Sequence, residues 1–340
     1  MKAEGRDVPA TKIFQVVFII NLIMDKGKVF ITDYGFASLA PETRLLNTHG
    51  FEVKAAKCVT EEDVLAGGAD AGALLVQWAP ITAKVIAGLK KCRVIVRYGI
   101  GVDNVDLEAA RQHAIPVCNV PDYCINEVAD HTFSLALALA RQLTETHTRI
   151  KEGVWKIVPP RPMPAFGDML FATIGYGRIA RAVLERTKPF GFTAAAYDPN
   201  VNNAEMIAAG VCPLSLDELL TTADIISLHL PLNEATHHLI NEATISSMKK
   251  GTILVNTSRG GLVDTMALAA ALEQQQIVAG LDVFETEPLP QAHPLRSCRQ
   301  ALLTSHTAWY SERSVPELQF RAAEEALRAL RGEPLKNRIA

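Results

Sequence analysis

The sequence predicts an α/β protein with two parallel-sheet domains. Three observations carry that expectation. The chain has 340 residues, enough for about two domains and a sizeable core. From Lys28 onward, short apolar runs alternate with amphipathic helical stretches. Near residue 126 the alternation breaks for one long apolar helix and a proline-rich connection, then resumes at Leu170. Such an array buries its strands under helices on both faces.

In chain order, "KIFQVVFIINLIM" comes first, after Lys2, Arg6 and Lys12. About a dozen apolar residues are too few to span a bilayer, and no small-residue cleavage site follows. Residues 1–23 are expected to be an extension ahead of Met24. "KVFITD" then reads as a strand and "PETRLLNTHG" as a helix ended by Gly50. "GALLVQW", "CRVIVRY" and "IPVCNVP" read as strands, with helices "ITAKVIAGLKK" and "DLEAARQHA" between them. Asn126 to Gly153 reads as one uninterrupted helix, followed by "WKIVPPRPMPAFGD". The second array runs through strands "LFATIG", "FTAAAYD", "DIISLHL", "TILVNTS", "AGLDVFE" and "ALLTS", with helices between. Ser215 with Glu218, and Ser314 with Glu317, have capping-box spacing and mark helix starts.

Composition narrows the function classes. Apolar residues make up 49%, charged residues 21%, and the net charge is −3, so no strong field invites nucleic acid or an anionic membrane. The six cysteines, Cys58, Cys92, Cys118, Cys124, Cys212 and Cys298, form no CxxC pair and no zinc-spaced cluster. We expect free thiols, a reducing, cytoplasmic setting and no metal. His237 and His238 read as a solvated loop or helix start, His229 as a core or cofactor-edge histidine, and His131 as packed on the long helix.

"IGYGRIARAV" carries the first functional signal. Gly175 permits a tight turn, Gly177 lets backbone approach a pyrophosphate, and Ala180 takes the third, close-packing position. The helix that follows offers free N–H groups and a positive dipole. Asp198 follows at the end of "FTAAAYDP", placed to accept from an adenosine ribose and to repel a 2′-phosphate. Pro199, Asn200 and Val201 supply no cation, so NAD is favoured over NADP.

Three further strand ends deliver Arg259, Asp282 with Glu287, and His306. A cation, a carboxylate and a histidine beside a nicotinamide suit carbonyl reduction. The oxygen needs a proton and a substrate carboxylate needs a counter-charge.

At these residues the chain resembles the D-2-hydroxyacid dehydrogenases, which include phosphoglycerate dehydrogenases. The matching segments are "RYGIGVDNVDLEAA", "CNVP", "EVADHTFSLALALAR", "IGYGRIAR", "LHLPLN", "VNTSRGGLVD", "LDVFETEP" and "SHTAWYSE", in family order. "HTAWYSE" with Glu127 and Asp130 is nearest the NAD-binding corepressor branch, the C-terminal binding proteins. The resemblance implies two Rossmann-like or flavodoxin-like domains, with an NAD domain (126–305) inserted into a discontinuous substrate domain (1–125 and 306–340). It implies that Arg259 binds the substrate carboxylate, that His306 is the acid/base, and that Glu287 pairs with it. It assigns Gly175, Gly177, Arg178, Ile179, Asp198, Leu230, Pro231, Thr257 and Asp282 to the cofactor, Asp282 holding the carboxamide. Backbone groups of Tyr98 and Gly99, with Arg97 nearby, are expected at the substrate, and Trp309 is either a pocket wall or a hydrophobic plug. A homodimer through 127–155 is also implied. The expected substrate is a small 2-oxo or 2-hydroxy acid with an apolar tail. The alternatives are 3-phosphoglycerate and an NAD-sensing binding role. Ala172 and Ala180 stand where glycines are usual, and their methyl groups are expected to weaken NAD binding. Ser305 stands where proline usually precedes the histidine.

Overall fold

The computed structural model describes residues 27–340. The apolar run before Met24 therefore lies outside the described residues. The chain separates into two compact units, one formed by the residues up to Tyr123 together with Val315–Ala340, the other by Cys124–Ser314.

The first unit holds a five-stranded parallel sheet of β1 (Lys28–Ile31), β2 (Glu52–Ala55), β3 (Ala73–Val76), β4 (Val94–Arg97) and β5 (Val117–Cys118). The order is β2-β1-β3-β4-β5, the flavodoxin-like winding. β3 and most of β4 are buried apolar residues, as strands covered on both faces must be. Helices α1 (Ala40–Thr48), α2 (Glu61–Gly68), α3 (Ala83–Gly88) and α4 (Leu107–Gln112) connect them. Gly50 takes a left-handed φ of 84° just beyond α1, as its stop signal required. The sequence reading passed over β2, an exposed charged edge strand, and α2, whose Thr60–Asp63 capping box is formed. The last helix, α12 (Ser314–Arg331), returns to this unit, where buried Gln319 donates to buried Glu42.

The second unit holds a seven-stranded parallel sheet: β6 (Leu170–Ile174), β7 (Thr193–Tyr197), β8 (Cys212–Pro213), β9 (Ile225–Leu228), β10 (Ile253–Asn256), β11 (Val278–Leu281) and β12 (Ala301–Leu303). The order β12-β11-β10-β9-β6-β7-β8 is a Rossmann winding with one added strand. The winding reverses between β6 and β9, which pair directly. Ligands of open α/β sheets bind at the carboxyl end of such a reversal.

Two helix expectations are corrected. The helix from Asn126 to Gly153 is two helices, α5 (Ile125–Ala140) and α6 (Leu143–Lys151). Gln142 between them has φ 51°, and its side chain bonds the backbone of Arg161 and Pro162. That long-range clamp fixes a left-handed turn that no local glycine announces. The Ser314–Glu317 box is not formed either. Ser311 and Ser314 cap each other reciprocally, and Glu317 pairs with Arg321 at 2.6 Å. The Ser215–Glu218 box is formed.

Ala172 and Ala180 are both fully buried, Ala172 inside the sheet between Ala195 and Ile226. Their methyl groups are packed inside the second unit. All six cysteines are free thiols, and burial pushes Cys92 and Cys118 up to about 12. No helix among the described residues is long and apolar enough to cross a membrane.

Candidate active site

The glycine turn sits where the sheet reverses. Gly175 has φ 98°, and a Cβ there would lie 2.3 Å from the carbonyl oxygen of His229, so only glycine fits. Gly177 begins α7 (Arg178–Thr187), and the space where its Cβ would stand is open. No side chain caps the first turn of α7, and Arg178 is exposed at its start. These free N–H groups beside an open cradle fit a pyrophosphate. Ile179 is half-buried behind the turn. Asp198 braces the loop: its carboxylate accepts from Tyr176 N–H at 2.8 Å and Asn200 N–H at 2.9 Å. Leu230 packs beside Gly175, while Pro231 is exposed. Thr257, at the end of β10, shares a 2.7 Å hydroxyl contact with Thr132 of α5. His229 is pushed down to about 3 by burial and bonds Ser227, so it stays neutral.

Arg259, Glu287 and His306 belong to the same unit. Asn256, almost fully buried, donates to the Arg259 carbonyl at 2.8 Å and accepts from Ser258 N–H, which sets the turn that presents the guanidinium. Gly260 follows. A Cβ there would meet the Phe284 carbonyl carbon at 1.9 Å, so the turn packs directly on the loop that carries Glu287. Glu287 accepts from Phe284 N–H at 2.9 Å with one oxygen and meets His306 Nδ1 at 2.6 Å with the other. Burial alone would raise the Glu287 carboxyl. His306, the Phe284 amide and Arg259 outweigh it and hold the group below the usual carboxylate range. His306 has φ 54°, a left-handed turn uncommon for a side-chain-bearing residue.

Asp282 fixes that turn. It is fully buried, accepts from Thr304 Oγ1 at 2.5 Å and from the N–H groups of Thr307 and Ala308 at 2.9 Å each, and its own carbonyl accepts from His306 N–H. Both oxygens thus have partners within the chain, beyond the carboxamide contact expected of it. His131 does not merely pack on its helix: Nε2 reaches Thr304 Oγ1 at 3.0 Å, and Asp282 lies at 3.6 Å. Trp309 donates its indole N–H to the His306 carbonyl at 2.8 Å, which orients the ring against the His306 turn. Sequence reasoning missed Thr304 and the His131 contact, because each acts through a residue distant in the chain, and missed Asn256, whose bonds to Ser258 and Arg259 are local but carry no motif signal.

In the first unit, the N–H groups of Tyr98 and Gly99 are occupied by the carbonyls of Val76 and Arg97, at 2.7 and 3.0 Å. Gly99, at φ 145°, leaves room for the Arg97 guanidinium, and Tyr98 is buried with its hydroxyl on Glu42. Asp33 accepts from the N–H groups of Gln77, Trp78 and Ala79 and so fixes the "VQWAP" loop.

The NAD-binding domain of the D-isomer specific 2-hydroxyacid dehydrogenases matches residues 133–308, just over half of the chain. The chain belongs to that family. As a member it carries the family's NAD-binding domain, and NAD is its cofactor. It is 38% identical over 301 residues to a D-3-phosphoglycerate dehydrogenase of Mycobacterium bovis, covering 87% of this chain and 56% of that protein. It therefore spans about half the length of the curated relatives it matches. A glyoxylate reductase from Paecilomyes thermophila superposes with a TM-score of 0.82 at 27% identity, covering 93% of this chain and 99% of that one. A D-lactate dehydrogenase from Aquifex aeolicus, complexed with NAD and lactic acid, gives 0.80 at 28%, covering 90% and 96%.

Proposed function

We propose that this family member is an NAD-dependent dehydrogenase that interconverts a small 2-oxo acid and its D-2-hydroxy acid. The observation that carries the proposal is the 2.6 Å pair of His306 and Glu287 on the loop against which the Arg259 turn packs. When bound, NAD supplies or accepts the hydride at the substrate carbon. Arg259 holds the substrate carboxylate and draws charge from the carbonyl oxygen. Glu287 occupies His306 Nδ1, which leaves Nε2 to give a proton to that oxygen in reduction and to take it back in oxidation. Asp282, through Thr304, Thr307 and Ala308, keeps the His306 turn in place.

Incubation with NADH and a panel of 2-oxo acids tests the reading, and no turnover with any of them would overturn it. We propose an apolar tail lying on Trp309, since its indole N–H is already spent on the chain and a flat ring suits alkyl groups. The 38% identity to a phosphoglycerate dehydrogenase favours 3-phosphohydroxypyruvate as a second reading, and the same panel separates the two. The exposed apolar side chains Leu143, Ile150, Trp155, Ile157 and Val158 support a second copy of the chain as partner around 127–155.

Asp198 supports NAD over NADP. NADH is expected to exceed NADPH at least tenfold in kcat/KM, about 1.4 kcal/mol, and Asp198→Ala is expected to narrow the gap. Equal use of both cofactors by the unaltered protein would remove Asp198 from the ribose site.

Glu287 gives a pH prediction. Its carboxyl, held below the usual carboxylate range, stays anionic through neutral and mildly acid pH. The bond to His306 is therefore expected to last until pH falls through that depressed range, where the carboxyl takes up a proton and reduction should lose rate. Glu287→Gln removes the titrating carboxyl and is expected to remove that acid limb. A limb that stays in place would show that another group titrates.

A further inference from the structure

We infer that His237, His238 and Glu285 form a binding site for a divalent metal ion of the zinc class, linking the loop after β9 to the loop that carries Glu287. The sequence reads the two histidines as solvated and foresees no metal, because Glu285 lies far along the chain. The fold brings the three together: one ligand atom from each lies within 4.8 Å of the others. His238 Nε2 is 2.5 Å from Glu285 Oε1, and the two imidazole rings stack with centroids 3.9 Å apart at 22°.

The ligands are held from behind. Glu285 Oε2 accepts from the Thr265 amide at 3.1 Å and from the Thr265 hydroxyl, which fixes the carboxylate plane and leaves Oε1 turned to the histidines. A ligating carboxylate is commonly braced in this way by outer hydrogen bonds. His238 is held at φ 49° by its N–H on the Gly261 carbonyl at 2.8 Å and by Asn241 on its own carbonyl at 3.0 Å. The backbone thus keeps a conformation that a histidine rarely adopts, and that conformation aims the ring at Glu285.

Two imidazoles and one carboxylate suit a borderline ion with nitrogen ligands, whereas calcium and magnesium seek oxygen shells. Zinc bonds of about 2.0–2.2 Å set tetrahedral donors roughly 3.3–3.5 Å apart. Side-chain rotation at His238 opens the present gap by less than about 1 Å to admit the ion, and water completes the fourth position. An ion there would stiffen residues 284–287 from outside the reacting groups.

The test uses the full chain, stripped with chelator and then titrated with Zn2+ by calorimetry and with Co2+ by visible absorption. One equivalent of Zn2+, an intense visible Co2+ band without a thiolate charge-transfer band, and a rise in Tm on adding Zn2+ are expected. His237→Asn, on an exposed ring, and Glu285→Gln, which keeps a hydrogen-bonding group for Thr265, are each expected to weaken Zn2+ at least tenfold with unchanged circular dichroism. Weak, pale Co2+ binding, a thiolate band pointing to the cysteines, or Zn2+ affinity in both variants unchanged from the unaltered protein would overturn the site. The family membership and the proposed reaction stand independently of any of these outcomes.

Discussion

Replacing His306 by Asn is expected to lower kcat for 2-oxo acid reduction by roughly 10²-fold or more while NADH binding is retained. Asparagine is the informative replacement. It tolerates the left-handed backbone that His306 adopts at φ 54°, so the turn is not further strained. The backbone N–H that bonds the Asp282 carbonyl at 2.7 Å survives, as does the carbonyl that accepts from Trp309. What is lost is the imidazole that can pass a proton to the substrate oxygen. Steady-state rates paired with a fluorescence titration of NADH separate chemistry from binding. A kcat within about threefold of the unaltered protein would mean that some other group serves as the acid.

Asp282→Ala is expected to be the most damaging single change to stability. The carboxylate is fully buried and accepts from Thr304 Oγ1, Thr307 N–H and Ala308 N–H. The Ala308 N–H is buried and the other two donors are part-buried; a buried donor left without a partner costs about 1–3 kcal/mol, so a loss of about 2 kcal/mol is expected. Urea unfolding with an unchanged slope and a lowered midpoint would register it. Asp282→Asn preserves shape and one acceptor oxygen, so its loss should be smaller. A change below about 1 kcal/mol in the alanine variant would mean that water takes over the carboxylate's bonds. Activity is expected to fall with the stability, since the same three bonds set the His306 turn.

The parts of this molecule that were legible in its sequence are those written locally. Strands covered on both faces must be apolar nearly throughout, so β3, β9 and β10 stood out as runs. The glycine turn was legible because Gly175 and Gly177 answer local demands, a left-handed φ and an open approach. Arg259, Glu287 and His306 stood out as candidates because each follows a strand inside a recognisable segment. β2 escaped because an edge strand of mostly exposed residues, Glu-Val-Lys-Ala, carries no apolar signal. The break between α5 and α6 escaped because the atoms that hold Gln142 belong to Arg161 and Pro162. What Asp282 holds, and the meeting of His237 and His238 with Glu285, escaped for the same reason: the partners are neighbours only after the sheet has formed.

The first unit is assembled from two stretches that flank the second unit in sequence, and this imposes an order of events during folding. Glu42 is satisfied by Gln319, 277 positions later, and a side chain on Gly72 would collide with Leu330. The amide of Val117 in β5 finds its acceptor at Ala340. The second unit, by contrast, is one continuous stretch from Cys124 to Ser314. On a ribosome the continuous unit is complete before the last helix emerges, while the earlier sheet waits with Glu42 uncovered. Closing so long a loop adds little to its equilibrium cost, since that cost grows only with the logarithm of length. It weighs instead on rate, because contacts distant in sequence form late. During that interval a nascent chain would expose the sheet of its first unit, and this stage is where chaperone capture or misassembly would act.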